Sequence, residues 1–279
     1  MPDKIEKIGR NSWIQHGELN QRIYLMKLDQ EEAVEVISLM NNLARSKKYS
    51  KIFCKVPGNK APLFTANGFI PEAQIPGFFR GEDSMFFMSK FLSSDRLLHI
   101  ETKELEELSK LLDRNKTQSW DPPEKSEKAS VRKLNENDCE TMAGLYKKVF
   151  QSYPFPIFDP AYILKTMKSG VQYFAIESNN KLLALASAEV DAYSQSAEMT
   201  DFATLQQHRG KNYAYFLLEA MQTHMKSEGI RTLYTIARLR SVGMNLTFLR
   251  MNYQFAGTLL KNTNISGEIE SMNIYYKQL

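Results

Sequence analysis

Apolar residues at Ala33, Val36, Ile37, Met40, Leu43 and Ala44 recur at three- and four-residue steps, the spacing of one buried helix face. The compact run before them, IYLMKL at 23–28, reads as a strand, with Asp29 as the helix N-cap and Glu32 at the third helical position. KIFCKV at 51–56 predicts a second strand, 61–66 a short helix, SMFFMSKF at 84–91 a third strand, and 99–114 a charged helix. The pattern then breaks at WDPPEKSEKAS, 120–130, where two prolines and alternating charges can neither bury surface nor continue a helix. That break divides the chain into a region 1–120, a linker 121–129 and a region 130–279.

Beyond the break, 130–134 reads as a strand and Cys139, Met142, Leu145, Tyr146, Val149 and Phe150 as one helix face. A proline- and aromatic-rich loop, YPFPIFDP at 153–160, precedes a short helix ending near Lys168. Strands follow at 171–177, 182–190 and 197–205, the first two joined by Asn179–Asn180, residues that accept the left-handed backbone of a tight hairpin. Next comes QQHRGKN, then a helix with Ala214, Leu217, Leu218, Met221 and Met225 on one stripe, stopping at Gly229. A strand at 232–237, a short helix at 244–251 and strands at 254–260 and 271–277 complete the chain. The pattern predicts an α/β fold: a mixed central sheet with helices on both faces, preceded by a smaller α/β unit. GNKAPLFTANGF (58–69) and GMNLTFLRMNY (243–253) each sit between strands and lead into a strand pair. The N-terminal unit therefore reads as a degenerate copy of the later one, without its glycine loop, in a structural or homodimer-forming role.

Composition narrows the function classes. A net charge of +4 spread over 279 residues favours anionic small molecules slightly and supplies no basic stripe for nucleic acid. Cys54 and Cys139 are far apart, and the four histidines, at 16, 99, 208 and 224, have no metal-ligand or triad spacing. The charged N-terminus lacks a signal-peptide core, and no run approaches the roughly 18 apolar residues of a membrane span. A cytoplasmic protein with neither metal nor membrane partner is expected.

A glycine between Arg209 and Lys211, directly ahead of a helix, is a design for binding an anion. Unpaired N–H groups and the helix dipole face the ligand, and glycine lets the backbone approach it. The element order around this loop resembles the GNAT N-acetyltransferase superfamily over 131–279, with Gln207-His208-Arg209-Gly210-Lys211-Asn212 matching its acetyl-CoA signature [QR]-x-x-G-x-[GA] except at Asn212. A narrower resemblance, to the β-lysine N-acetyltransferase family, is carried by TDFATLQQHRGK, YTIAR, GMN, the long block GTLLKNTNISGEIESMN and the closing YYK. Those enzymes acetylate the terminal amine of β-lysine to make Nε-acetyl-β-lysine, a compatible solute.

The resemblance implies acetyl-CoA as co-substrate and a small-molecule amine as acceptor. Gln207, His208, Arg209, Gly210, Lys211, Asn212, Tyr213 and Ala214 would hold the pyrophosphate. Phe202, Ala203, Thr204 and Leu205 would pair with pantetheine and polarise the thioester carbonyl through a backbone N–H. An amine of pKa about 10.4 needs a base before it can attack. Asp201 and Glu189 lead as candidates, with Glu198 and Asp191 behind them. The tyrosine that protonates the leaving thiolate in many GNAT enzymes is Phe248 here, so Tyr253, Tyr275 or Ser241 would substitute, or the thiolate leaves unaided. Arg238, or Arg240 beside it, would take the substrate carboxylate, and Asn245, Asn262, Asn264 and Glu270 belong to the block expected to touch substrate. A GNAT enzyme acting on lysine, a polyamine or a protein lysine, and a non-catalytic acyl-CoA sensor, remain the alternatives.

Overall fold

The computed structural model describes residues 3–123 and 130–279, so most of the linker placed at 121–129 lies outside the described residues. In the N-terminal half the elements are β1 (Lys4–Ile8), β2 (Ser12–Gly17), β3 (Arg22–Lys27), α1 (Ala33–Lys47), β4 (Lys51–Pro57), α2 (Ala61–Ala66), β5 (Ile70–Phe79), β6 (Asp83–Phe91), α3 (Asp95–Leu98) and α4 (Thr102–Thr117). The C-terminal half holds β7 (Ser130–Lys133), α5 (Cys139–Val149), α6 (Pro160–Lys168), β8 (Val171–Ser178), β9 (Lys181–Asp191) and β10 (Ser196–Thr204). It continues through α7 (Tyr213–Ser227), β11 (Thr232–Arg238), α8 (Val242–Arg250), β12 (Gln254–Ile265) and β13 (Glu268–Gln278).

The periodic segments form as their spacing predicts, and Asn179 and Asn180 both adopt left-handed backbone at the β8–β9 turn. Strands β1, β2 and β5 carry no clear alternation. β1 is exposed at four of its five residues, and β5 contains Pro71 and Pro76 with two shifts in its pairing to β6. Glu32 does not close a capping box. Asp29 accepts from the Glu31 N–H, and the buried Glu32 carboxylate instead accepts from the backbone of Arg10, Asn11 and Ser12, pinning the β1–β2 turn to α1.

Among the described residues thirteen strands join one sheet in the order β1-β2-β3-β4-β6-β5-β12-β13-β11-β10-β9-β8-β7. The two halves meet where Gly257 of β12 pairs with Ala73 of β5. Gly257 has φ +150°, and a Cβ there would lie 2.1 Å from the Glu72 carbonyl oxygen, so the close approach requires glycine.

Alternation decides which helix covers which face. Ala184, Ala186 and Ala188 of β9 pack under α7, whose Leu217, Leu218 and Met221 are buried. Tyr173, Ala175 and Leu185 face the other way, against α5 and α6. In the N-terminal half, α1 and α2 cover Ile23, Leu25, Ile52 and Val56. The opposite face, with Tyr24, Phe53 and Phe87, packs on Tyr234, Met272 and Ile274 from β11 and β13. The sheet thus curls so that its two halves face each other, and a cavity opens along that seam.

Candidate active site

The cavity, about 580 Å³, begins at the glycine loop. Gly210 (φ +77°) and Asn212 (φ +57°) are both left-handed, turning the chain sharply into α7. Asparagine tolerates this conformation better than other side-chain-bearing residues, which is why the loop forms without the expected second small residue. The first backbone bond of α7 runs from the Phe216 N–H to the Asn212 carbonyl at 3.2 Å, so the amides just before Phe216 are free to face a ligand. His208, Arg209, Gly210, Asn212, Tyr213 and Ala214 line the cavity, and the buried His208 Nδ1 has no partner. Gln207 and Lys211 are exposed and do not line it, and Ala203 is buried on the α5 side of the sheet. This cradle of free N–H groups with Arg209 beside it fits a pyrophosphate.

The cavity continues between two diverging strands. β10 and β11 pair in parallel at Ser196–Thr232, Ala197–Leu233 and Glu198–Tyr234, and no pairing is formed beyond that point among the described residues. Thr200, Phe202 and Thr204 line one wall of the gap and Thr235, Ile236, Ala237 and Arg238 the other. Backbone groups that would have bonded across the sheet are therefore available to a narrow, extended ligand.

At the gap β10 carries a bulge. Thr200 faces Ser187 and Ala203 faces Leu185, so β10 holds one residue more than β9 in this interval. Asp201 occupies the extra position with φ +55°. Without the bulge it would follow Ala197 and Met199 into the core under α7; with it, the carboxylate turns to the cavity side. There it accepts hydrogen bonds from the Tyr153 hydroxyl at 2.5 Å and the Ser187 hydroxyl at 2.6 Å. Burial raises the pKa of Asp201, and these two donors pull against that rise.

Glu189 and Glu198 stand directly opposite each other on β9 and β10, beside Asp201. Glu198 is buried, and Glu189 is exposed on the cavity wall. Partial desolvation by the surrounding protein raises both carboxyls, and for the exposed Glu189 the charges of Glu198 and Asp201 add to the effect. Lys55 of β4 opposes this from the N-terminal half. Burial works against its ammonium, yet Tyr234, Tyr24, Glu198 and Glu189 outweigh it and hold its pKa well above the usual lysine value. Its Nζ donates to the Tyr234 hydroxyl at 3.4 Å.

The remaining candidates are scattered. Arg238 lines the cavity but is bound to Glu270, Nε donating to Oε2 at 3.0 Å and Nη2 to Oε1 at 2.6 Å. Arg240 pairs with Glu268 and Glu104. The buried Asn245 donates to the carbonyls of Arg238, Leu239 and Ser241 and accepts from Asn273 and Tyr275, so it braces the β11–α8 corner. Asn262 lines the cavity; Asn264 does not. Tyr253 is buried, its hydroxyl unpartnered and away from the cavity, while Ser241 lines it. Asp191 lies outside this cavity.

Sequence reasoning passed over Arg22, Tyr24, Lys55 and Tyr153, which all line the cavity. Lys55 was visible as one of two lysines in an otherwise apolar strand, and Tyr153 within the aromatic loop. Neither signal indicates a site without the seam between the halves. Among the described residues no cluster of His, Cys, Asp or Glu could hold a metal ion, and no helix is long and apolar enough to cross a membrane.

Residues 136–244 match the acetyltransferase (GNAT) family. The chain is 44% identical to a beta-lysine N(6)-acetyltransferase of Methanococcus maripaludis, over 99% of its own length and 98% of the relative's. It is 32% identical to the N-acetyltransferase YodP of Bacillus subtilis over the full length of both. A beta-lysine N(6)-acetyltransferase of Methanosarcina mazei is 30% identical, with 88% of this chain and 97% of that one covered.

Proposed function

The chain belongs to the GNAT acetyltransferases, in the family of the beta-lysine N(6)-acetyltransferases, and from that premise we propose that it acetylates the terminal amine of β-lysine with acetyl-CoA, making Nε-acetyl-β-lysine as a compatible solute. It is an N-acetyltransferase, and enzymes of this superfamily use acetyl-CoA as the acyl donor. The observation that carries the substrate reading is a group of three carboxylates, the buried Glu198, the partly buried Asp201 and the exposed Glu189, at the mouth of the splayed β10–β11 gap. Such a group attracts an ammonium and can take its proton.

The glycine loop and the start of α7 would bind the pyrophosphate, and the unpaired edges of β10 and β11 the pantetheine arm. Bound there, acetyl-CoA supplies the activated acyl group. Asp201, whose carboxylate form the Tyr153 and Ser187 donors favour, is suited to hold the substrate ammonium in place. Glu189 is suited to accept the proton, because its raised pKa makes it a stronger base than a free carboxylate and its exposure gives the proton an exit. The unpaired N–H groups of β10 support carbonyl polarisation. Of the three hydroxyls considered as donor to the leaving sulfur, Ser241 is the one that lines the cavity.

Release of CoA thiol from acetyl-CoA, measured with β-lysine, α-lysine and spermidine in parallel, tests the reading. Turnover with β-lysine well above the other two is expected. CoA binding without turnover on any of the three would refute it.

A further inference from the structure

The cavity contains a buried cation that the acyl-transfer chemistry does not use. Arg22, at the start of β3 in the N-terminal half, is 3% exposed and lines the cavity. Its Nη1 donates to the Asn262 carbonyl and, at 3.1 Å, to the Thr263 hydroxyl. Its Nε is buried with no acceptor, and Nη2 makes no hydrogen bond among the described residues. The guanidinium lies 5.3 Å from the Tyr24 ring centroid and 5.6 Å from that of Phe53, surfaces that orient it without neutralising it.

Three neighbouring cations are matched by anions, whereas the buried Arg96 is held by the Lys261, Asn20 and Gln21 carbonyls and the Ser50 hydroxyl, and Arg209 and Arg250 face the cavity without an ion pair among the described residues. Lys51 pairs with Glu72 at 2.8 Å, Arg238 with Glu270, and Lys55 sits in the field of Glu198 and Glu189. Among the described residues Arg22 has no carboxylate within ion-pair distance; burial brings its pKa down to about 10 against the longer-range charges of Asp3 and Glu72, and it stays charged at neutral pH. A buried guanidinium without an ion pair, its Nε and Nη2 groups free, is costly unless a ligand completes it. Beside it Asn262, 1% exposed, has its Oδ1 buried and unpartnered. A donor fork and an acceptor, both unsatisfied and both on the cavity wall, complement a carboxylate with an amino group close by.

Resting on the substrate reading above, we infer that Arg22 and Asn262 bind the amino-acid head of the substrate, Arg22 taking the carboxylate and Asn262 the neighbouring amino group. The acceptor amine at the other end of the molecule then reaches Asp201. The N-terminal half thereby completes the substrate site and selects amino acids over carboxylate-free diamines, a binding role with no part in the acyl transfer itself.

The probe is 1,4-diaminopentane, which is β-lysine without its carboxylate. Wild-type enzyme is expected to prefer β-lysine in kcat/KM by on the order of 100-fold. Arg22→Met should remove that preference by raising the KM for β-lysine far more than that for the diamine, and Arg22→Lys should restore part of it. Asn262→Asp places a carboxylate of the protein's own beside Arg22. It should raise Tm and abolish the preference as well, so the proposal stays testable if Arg22→Met folds poorly. A preference that survives in Arg22→Met and Asn262→Asp, or an equal loss on both substrates, overturns the assignment alone. A wild-type enzyme indifferent to the carboxylate overturns the substrate reading and the assignment together.

Discussion

Tyr153, from the loop after α5, donates its hydroxyl to Asp201 of β10 at 2.5 Å, tying an aromatic loop to the one residue that the β10 bulge turns into the cavity. Burial keeps the Tyr153 phenol protonated by raising its pKa well above the usual value, so it acts as a donor throughout the physiological range. Asp201→Asn keeps the shape but removes the charge, and kcat/KM should fall by about 10²–10⁴. Tyr153→Phe removes a bond that favours the ionised carboxylate, so the acid limb of the kcat/KM profile should move to higher pH. An unmoved limb with normal acetyl-CoA binding would remove Tyr153 from the site's electrostatics.

Glu189 makes activity and stability respond to pH in opposite senses. As a base it must be deprotonated, so kcat/KM should climb as pH rises through its raised pKa. For stability, the folded protein holds this proton more tightly than the unfolded chain. The favourable contribution is therefore full below the ordinary carboxylate range and is lost as pH rises through the folded value. Glu189→Gln should lower activity yet raise Tm at pH 9 by on the order of 2 °C, with the gain shrinking below pH 5. Thermal melts of both proteins across that range decide it.

The junction of the two halves depends on Gly257. Gly257→Ala forces a Cβ against the Glu72 carbonyl and should cost about 2–4 kcal/mol in urea unfolding. Gly144→Ala, on α5 with open space around it, is the control and should be neutral or stabilising by about 0.5–1 kcal/mol.

Asn212 tests the loop. Asn212→Gly keeps the left-handed turn and should leave the KM for acetyl-CoA nearly unchanged. Asn212→Val should raise it about 10-fold or more, because a β-branched residue pays the full cost of that backbone. Isothermal titration with CoA separates this from any effect on the amine.

The element order of the C-terminal half, the hairpin at Asn179–Asn180, the glycine loop ahead of α7 and the candidacy of Asp201 and Glu189 were legible along the chain, whereas β1, β2 and β5, without clear alternation, were not. Each legible feature depends on local spacing, turn chemistry or residues close together in sequence. The bulge that turns Asp201 around was not, because one extra residue in β10 exists only relative to its partner β9. Arg238 looked like a free cation until β11 and β13 brought Glu270 against it, and Asn245 like a substrate contact until five bonds filled its amide. Arg22, Lys55 and Tyr153 join the site from residues far apart in the chain. Local patterning determines which segments become helices and strands, since propensity and periodicity act within a few residues. Which charges meet across the seam, and which remain unpaired there, was decided only by the curl of one sheet, because ion pairing and desolvation depend on distance in space.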